Sequence, residues 1–218
     1  MMFLELSLAM INIILIHIYN GVIMTSKIDI CNLSLGYLGQ APISSLEQEN
    51  APARWFKLFY NSVRDEVLRS HNWAFAAAEK PLIPLPIAAA GPGKWVYKYP
   101  VDALFIRRIF VAQHPNAPVL FEERMDSALA TRVLVSPAPQ AHVLYTRCVT
   151  DETQYDPCFV KCLALALACD LAPALTGDVA LAARLEQKYA LCLEEARRSN
   201  MAENCVLTPQ TDAFSEVR

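Results

Sequence analysis

Proline placement divides this chain into a central stretch and two flanks. Nine of its fourteen prolines fall between residues 81 and 139. They are Pro81, Pro84, Pro86, Pro92, Pro100, Pro115, Pro118, Pro137 and Pro139. A proline inside a helix removes a backbone hydrogen bond and clashes with the preceding turn. Long helices are therefore expected only before residue 80 and after residue 150.

The short segments between these prolines have the composition of β-strands. In the run 95–99, Trp-Val-Tyr-Lys-Tyr, aromatic residues recur at every second position, as one face of a strand requires. Similar runs occupy residues 104–111, 119–121, 132–135 and 142–149. Gly91-Pro92-Gly93 is a turn signal, and residues 126–130 are expected to form one helical turn. Residues 80–150 are therefore predicted to form a small, mostly antiparallel β lobe.

Two helices are predicted before the lobe, at residues 25–39 and 51–71. In the first, Ser26 and Asp29 have the spacing of a capping box, and Gly39 can adopt the left-handed turn that ends it. Its apolar positions are Ile30, Cys31, Leu33 and Leu38. In the second, Asn50 can cap the helix and Pro52 suits its first turn. Its apolar stripe is Phe56, Phe59, Tyr60, Val63, Val67 and Leu68, and its outward set is Arg54, Lys57, Arg64, Asp65 and Arg69.

Two more helices are predicted after the lobe, at residues 155–175 and 178–201. Asp156 can cap the first, and the stretch 158–171 is rich in Ala and Leu and nearly free of charge, which is typical of a helix buried on most sides. Pro173 and Gly177 are expected to end it. Asp178 caps the last helix, whose inner stripe is Val179, Ala182, Leu185, Tyr189, Cys192 and Ala196.

Together these segments predict an α+β fold. It has a mainly helical layer of about four helices, with a small antiparallel β lobe inserted between helices two and three. The core domain is expected to span residues 24–201. Residues 202–218 lack a core pattern and are predicted to form an extended C-terminal arm.

Size and composition narrow the class of protein. A chain of 218 residues suits one domain with an inserted lobe, and its formal net charge of −3 argues against a dedicated nucleic-acid binder. Its seven cysteines are odd in number and irregularly spaced, which favours reduced, cytoplasmic thiols over a disulfide framework. They are Cys31, Cys148, Cys158, Cys162, Cys169, Cys192 and Cys205.

The first 23 residues are apolar and leave three interpretations open. They carry no Lys or Arg and one acid, Glu5, so they lack the basic start of a secretory signal. Asn12, His17 and Asn20 also interrupt the stretch, which makes it marginal as a membrane span. It can be a membrane anchor, an apolar helix packed on the protein or a neighbour, or an extension ahead of a true start at Met24. We favour the start at Met24.

No sequence motif identifies catalytic chemistry. The six glycines form no phosphate-binding loop, and the four histidines are far apart. The cysteines Cys158, Cys162 and Cys169 can be read as a thiolate metal site. They can also be small apolar residues on one face of a buried helix, the interpretation we favour, since zinc sites usually use two close pairs.

Two further groups of polar residues each have a functional and a structural interpretation. Asp151, Glu152 and Asp156 can form a cation site or supply a general base, but acids at the start of a helix are more simply explained as caps. His71 can act as a base, but it more simply closes the second helix, where a basic side chain suits the helix dipole. No catalytic, cofactor-binding or metal-binding residue is assigned, and the chain is predicted not to be an enzyme.

Three segments resemble a known family, the phage tail tubular protein A and related head-to-tail adaptors. The segment 30–39, Ile-Cys-Asn-Leu-Ser-Leu-Gly-Tyr-Leu-Gly, followed by 42–46, Pro-Ile-Ser-Ser-Leu, is similar to the family's first helix and turn. The segment 60–76 is similar to its helix ending in Arg-Asp-Xaa-Xaa-Leu and Trp-Xaa-Phe-Ala. The segment 95–104 resembles its aromatic strand and Pro-Xaa-Asp turn. The resemblance covers residues 27 to about 200 and departs from the family pattern at 81–93 and in the short β lobe.

The resemblance implies a structural subunit of a tailed phage or prophage virion. It implies a dodecameric ring beneath the portal protein, assembled in the host cytoplasm, with a downstream tail or nozzle protein as a further partner. DNA would pass through as cargo, and no small molecule or cofactor would be bound. Trp73 is predicted to join the helical layer to the β lobe. Trp55 and Phe75 are candidates for the ring interface, with burial in the core as the alternative.

Two other function classes stay open at this point. One is a small membrane-anchored protein that uses residues 1–23. The other is an enzyme of unrecognised type that uses the acids at 151–156 and the cysteines at 158–169. Membrane fractionation would distinguish the first from an adaptor, and metal analysis would distinguish the second.

Overall fold

The computed structural model describes residues 25–86, 93–127 and 130–203. These residues form an α+β fold with four helices and an antiparallel strand region between the second and third, as predicted. The helices are α1 Lys27–Tyr37, α2 Ala51–Ser70, α3 Pro157–Leu175 and α4 Val179–Glu203. A short 3-10 helix, Glu152–Gln154, precedes α3.

The helices begin where local capping chemistry dictates. Ser26 and Asp29 form the predicted capping box, in which each side chain accepts a hydrogen bond from the other residue's backbone N–H. The Asn50 side chain accepts from the Ala53 N–H, and Asp156 accepts from the Cys158 N–H. Asp178 accepts from the Leu181 N–H at 3.0 Å. These caps satisfy backbone donors that have no partner within the first helical turn.

The strands form two antiparallel sheets. They are β1 Ala77–Pro81, β2 Trp95–Lys98, β3 Ala103–Val111, β4 His114–Val119, β5 Glu122–Asp126, β6 Thr131–Ser136 and β7 Ala141–Arg147. One sheet has the order β1-β7-β3-β4 and the other the order β2-β6-β5. Residues 83–85 also pair with β2. The Leu85 N–H donates to Val96 O, and the Lys98 N–H donates to Ile83 O.

The helices share one large apolar core. It is built from α1, α2, α3 and α4 and extends to Trp73 and Ala76 after α2. The lobe has two smaller clusters. One is centred on Tyr97, Ile109 and Val143, and the other consists of Val96, Val133 and Val135.

Several local predictions were wrong. The strand β1 was missed, since its sequence Ala-Ala-Glu-Lys-Pro has no β pattern and it is recruited by pairing with β7. The helical turn expected at 126–130 is not formed at Asp126, which ends β5 and pairs with Thr131. Ala130 has a φ of 48° at the turn between them, and residues 128–129 lie outside the described part.

The helix ends also differ from expectation in detail. Pro173 does not end α3, which continues to Leu175; Gly177, with a φ of 65°, follows it in the turn. Helix α4 continues to Glu203, so the first two residues of the predicted arm are helical. The rest of the arm and the apolar stretch 1–23 lie outside the described residues. In the apolar stripes, Leu33 and Val179 are exposed rather than buried.

Among the helices in the described residues, α3 is long and apolar enough to cross a membrane, judged by length and composition alone. More than half of its most apolar window, 56%, is buried inside the protein. That burial agrees with the prediction of a helix surrounded by the core. Length and composition therefore do not distinguish α3 from an ordinary core helix.

Candidate functional site

The junction between the helical layer and the β lobe is built around Trp73. This residue is 3% exposed, and its indole Nε1–H donates to Val67 O at 2.9 Å. From β3, Arg107 Nη2 donates to Trp73 O at 2.8 Å, while Arg107 Nε donates to Thr146 Oγ1 on β7 at 2.9 Å. Arg107 thus holds the chain after α2 against the sheet, and Trp73 is buried at the junction that it was predicted to join.

Aromatic rings fill the space behind Trp73. The Trp73 and Phe159 rings lie 5.1 Å apart in an edge-to-face arrangement, and Phe75 contacts both Tyr155 and Phe159. Edge-to-face pairs are favoured by the quadrupole of the rings. Phe75 is half-buried and packs against the helical core, and its role at a ring interface stays a prediction.

Arg64 is buried, although the sequence pattern placed it on the outward face of α2. It is 7% exposed and donates through Nε to Asp65 Oδ1 at 2.8 Å. Its Nη2 also lies 3.5 Å from the Cys148 sulfur. Burial alone would lower the pKa of Arg64, but the hydrogen bond and charge of Asp65 raise it. The Arg-Asp pair of the family-like segment thus ties α2 to the chain after β7.

Asn32 holds the turn after α1 in place. Its side-chain amide donates to Ile43 O at 2.9 Å and its carbonyl oxygen accepts from the Ile43 N–H at 2.8 Å. The two bonds satisfy the backbone N–H and C=O of Ile43, which is buried and belongs to no strand. They join the two parts of the first family-like segment, the helix and the Pro-Ile-Ser turn.

The acids weighed as a possible cation site have separate local roles. Asp151 caps the 3-10 helix, and hydrogen bonds from Thr153 and Gln154 hold its pKa below the usual range. Asp156 caps α3, and Glu152 accepts from the Tyr60 hydroxyl at 3.3 Å. Within residues 25–86, 93–127 and 130–203, no three His, Cys, Asp or Glu side chains are grouped so that they could hold a metal ion. The arrangement favours the capping interpretation.

His71 occupies the C-cap of α2, as predicted, with its ring edge-on to Trp73 at 5.0 Å between centroids. Burial lowers its pKa, and the charges of Arg197 and Arg107 lower it further. The lowered pKa disfavours the charged imidazole that the helix-dipole interpretation requires. Packing at the junction explains its position.

The three cysteines weighed as a metal site do not share one environment. Cys158 is exposed at the start of α3, Cys162 is fully buried, and Cys169 is half-buried. Cys162 instead faces Cys192 of α4, with 2.9 Å between the two sulfur atoms. Sequence spacing could not reveal this pair, because the two residues are 30 positions apart.

An exposed apolar patch lies on the first half of α2. It lines a surface concavity and consists of Ala51, Arg54, Trp55 and Leu58. Leu58 is 66% exposed, and Trp55 is half-buried with its ring 5.9 Å from that of Phe59. We call these four residues the helical patch. Exposed apolar side chains beside an arginine are typical of protein–protein contact surfaces.

A second exposed patch lies on the lobe. Its concavity is lined by Pro81, Leu82, Pro84, Trp95, Tyr97, Pro139, Gln140, Ala141 and His142. Trp95 is 47% exposed there, and Ile83 nearby in sequence is 64% exposed. We call this set the lobe patch, although its members Leu82, Tyr97 and Ala141 are themselves buried. Proline and aromatic surfaces present rigid apolar area at low entropic cost, which suits recognition of another protein.

The strand edges of the lobe are protected against pairing with another chain. The edge strand β4 contains Pro115 and Pro118, and β1 ends at Pro81. The edge strand β5, Glu-Glu-Arg-Met-Asp, is charged and exposed. Proline and charge on edge strands prevent strand addition. Contacts of the lobe with other proteins are therefore expected through side chains.

No known protein-family profile matches this sequence, and no curated protein matches it either.

Proposed function

We propose that this chain is a head-to-tail adaptor subunit of a tailed phage or prophage, a structural ring protein without enzymatic activity. The observation that carries the proposal is the ordered series of three family-like segments at 30–46, 60–76 and 95–104. Their side chains make fold-defining contacts: Asn32 binds Ile43, and Arg64 pairs with Asp65. These contacts explain why the first two segments have these residues at these positions.

The two exposed patches supply the kind of surface that a ring subunit needs. A cyclic ring is held by a heterologous interface, in which two different surfaces of the same subunit meet. In the proposed assembly the helical patch contacts the next subunit, and the helices stand side by side around the channel. The lobe patch and the C-terminal arm then reach the portal or the downstream tail protein.

The proposed mechanism is mechanical. The ring completes the head, provides the docking surface for the tail and leaves an open channel for DNA. A near-neutral subunit suits a channel wall, since clustered Lys and Arg would bind phosphates and slow the strand. The formal net charge of −3 agrees with that requirement.

The test is reconstitution with a portal protein encoded beside this gene. The purified full chain is mixed with that portal, and the products are analysed by sedimentation velocity and negative-stain imaging. We expect a closed ring bound to the portal, and we expect deletion of residues 206–218 to weaken it without loss of the fold. A chain that never associates with the cognate portal would contradict the proposal.

Two leucines on the helices provide a matched pair of variants for this assay. Leu58 and Leu191 are both 66% exposed, but only Leu58 belongs to the helical patch. Leu58→Asp is expected to abolish ring closure, while Leu191→Asp leaves it intact. If both variants close the ring equally well, or both fail to, the helical patch is not shown to be the interface and this part of the proposal fails.

Expression of two chain lengths distinguishes the adaptor from the membrane-anchored alternative. The full chain and a chain beginning at Met24 are each expressed and fractionated. An adaptor is expected in the non-membrane fraction in both forms, with the same far-UV and near-UV circular dichroism after purification. Recovery of the full chain in membranes, with loss of folding in the shorter chain, would favour the anchored protein instead.

A further inference from the structure

The turn between α3 and α4 sets which residues of the two helices face each other. The helices are antiparallel neighbours joined by residues 176–178, and Gly177 lies at the centre of the turn. In such a hairpin, residues at equal distances from the turn lie side by side. Cys162 precedes Gly177 by the same number of residues as Cys192 follows it. Their meeting is thus a consequence of the hairpin register.

The distance between the two sulfur atoms of this pair is close to that of a disulfide. The two sulfur atoms are 2.9 Å apart, and one thiol donates a hydrogen bond to the other. A disulfide has an S–S length of about 2.0 Å, so closure requires an approach of less than about 1 Å. Cys162 is fully buried and Cys192 is 4% exposed, inside the helical core. An ion pair, Lys161 Nζ to Glu195 Oε2 at 3.5 Å, joins the same two helices nearby.

We propose that Cys162 and Cys192 form a reversible disulfide that links α3 to α4 when the protein meets an oxidising environment. The oxidant is a low-molecular-weight disulfide. The Cys192 sulfur attacks it, forms a mixed disulfide and releases one small thiol; the Cys162 sulfur then displaces the second small thiol and closes the bond. Two protein thiols lose two electrons and two protons, and one small disulfide is reduced to two thiols.

Burial makes this a slow modification. It raises the pKa of Cys162, so little thiolate is present there at neutral pH. Exposed Cys158, at the start of α3, is therefore expected to react first with any external reagent. In a reducing cytoplasm the pair stays as thiols. If the chain is an adaptor, as proposed above, assembly would precede the bond and the released particle would acquire it.

The experiment uses the purified full chain, alone, in buffers of increasing oxidised-to-reduced glutathione ratio. Free thiols are then alkylated and the protein is digested with trypsin without reduction. Cys162 lies in the peptide 162–184 and Cys192 in the peptide 189–197. We expect these two peptides to become joined, and we expect the urea midpoint of unfolding to rise on oxidation and return on addition of reductant.

Cys169 provides the matched control, because it lies in the same tryptic peptide as Cys162. The link is expected in the wild type and in Cys169→Ser, and it is expected to be lost in Cys162→Ser and Cys192→Ser. A link through Cys158 or Cys169, or glutathione adducts without a 162–192 link at every ratio, would overturn the proposal. Fragmentation of the joined wild-type peptides by tandem mass spectrometry shows whether Cys162 or Cys169 carries the alkyl label, so the wild type decides even if a variant does not fold. No portal is present, so the result is independent of the adaptor assay.

Discussion

The helical layer and the β lobe bury their apolar side chains in different ways. The helices share one continuous core that reaches from Ile30 in α1 to Ala196 in α4. The lobe divides its smaller core between two sheets, and β4 and β5 are exposed along almost their whole length. Most of the strongly exposed large apolar side chains of the described residues also lie on the lobe: Ile83, Trp95, Val101, Phe105, Leu120 and Met125.

This difference suggests that the helical layer provides stability and that the lobe provides contact surface. A large shared core gives each helix many packing partners and makes the helical layer the more stable part of the molecule. A lobe with thin clusters and apolar residues left outside is better suited to making contacts with other proteins. Loss of a side chain should therefore cost most at the junction and in the helical layer, and less on the outer lobe.

The largest expected effect is at Trp73, compared with Trp95. Trp73 is 3% exposed at the junction, whereas Trp95 on the lobe is 47% exposed. Trp73→Ala should lower the free energy of unfolding by about 3–5 kcal/mol, because it empties a buried site. Trp95→Ala should cost about 1 kcal/mol or less, since it removes a surface side chain. Urea unfolding of both variants measures the difference, and equal losses would refute the comparison.

Arg107 tests whether the two regions depend on each other. It donates to Trp73 O and to Thr146 Oγ1, so it joins the chain after α2 to β7. Arg107→Leu should cost about 1.5–3 kcal/mol, since it removes hydrogen bonds from a charged group. Arg107→Lys keeps the charge but lacks the planar fork that reaches both acceptors, so it should recover only part of the loss. Full recovery by Lys would mean that charge alone holds the junction.

Much of this arrangement could be predicted from the sequence where the signal is local. Ser26, Asn50, Asp156 and Asp178 cap the four helices because a short polar side chain next to an apolar periodic run satisfies free N–H groups. The aromatic alternation at 95–99 likewise indicated β2, which spans Trp95–Lys98.

What escaped prediction depends on partners distant in sequence. β1 becomes a strand because β7 offers it a free edge, and Arg64 is buried because Asp65 and Cys148 supply its partners. The Cys162–Cys192 pair follows from the register of a hairpin, which helix periodicity cannot give. Of the proposed surfaces, Trp55 was named as a candidate, but Leu58 and the lobe patch were not, because exposure is a property of the folded chain.

A pair of buried tyrosines compares hydrogen bonding in the two regions. Tyr97 in the lobe and Tyr60 in α2 are both fully buried. The Tyr97 hydroxyl donates to Ala138 O at 2.5 Å, whereas the Tyr60 hydroxyl donates to Glu152 at 3.3 Å. Tyr97→Phe should cost about 1–2 kcal/mol because a buried carbonyl loses its partner, and Tyr60→Phe about 0.5 kcal/mol. A larger loss at Tyr60 would contradict the geometric argument.

A small effect is expected at the exposed start of α1. The Ser26 hydroxyl accepts from the Asp29 N–H, and the Asp29 carboxylate accepts from the Ser26 hydroxyl and backbone N–H. Ser26→Ala removes both hydroxyl bonds, leaves the backbone one, and should cost about 1 kcal/mol at neutral pH. Ser26→Thr, which retains a hydroxyl, is the matched control and should cost less.

The same cap makes a prediction about pH. The hydrogen bonds from the Ser26 side chain, and then from its backbone, lower the pKa of Asp29. A carboxyl group whose pKa is lower in the folded than in the unfolded state stabilises the fold above its unfolded value, and that contribution is lost as pH falls through the folded value. Nuclear magnetic resonance titration should therefore show the pKa of Asp29 below 3.8 in the wild type and nearer that ordinary value in Ser26→Ala. The stability difference between wild type and Ser26→Ala should accordingly shrink in acid. A difference that persisted after Asp29 was fully protonated would show that the hydroxyl acts as a cap independently of the carboxylate charge.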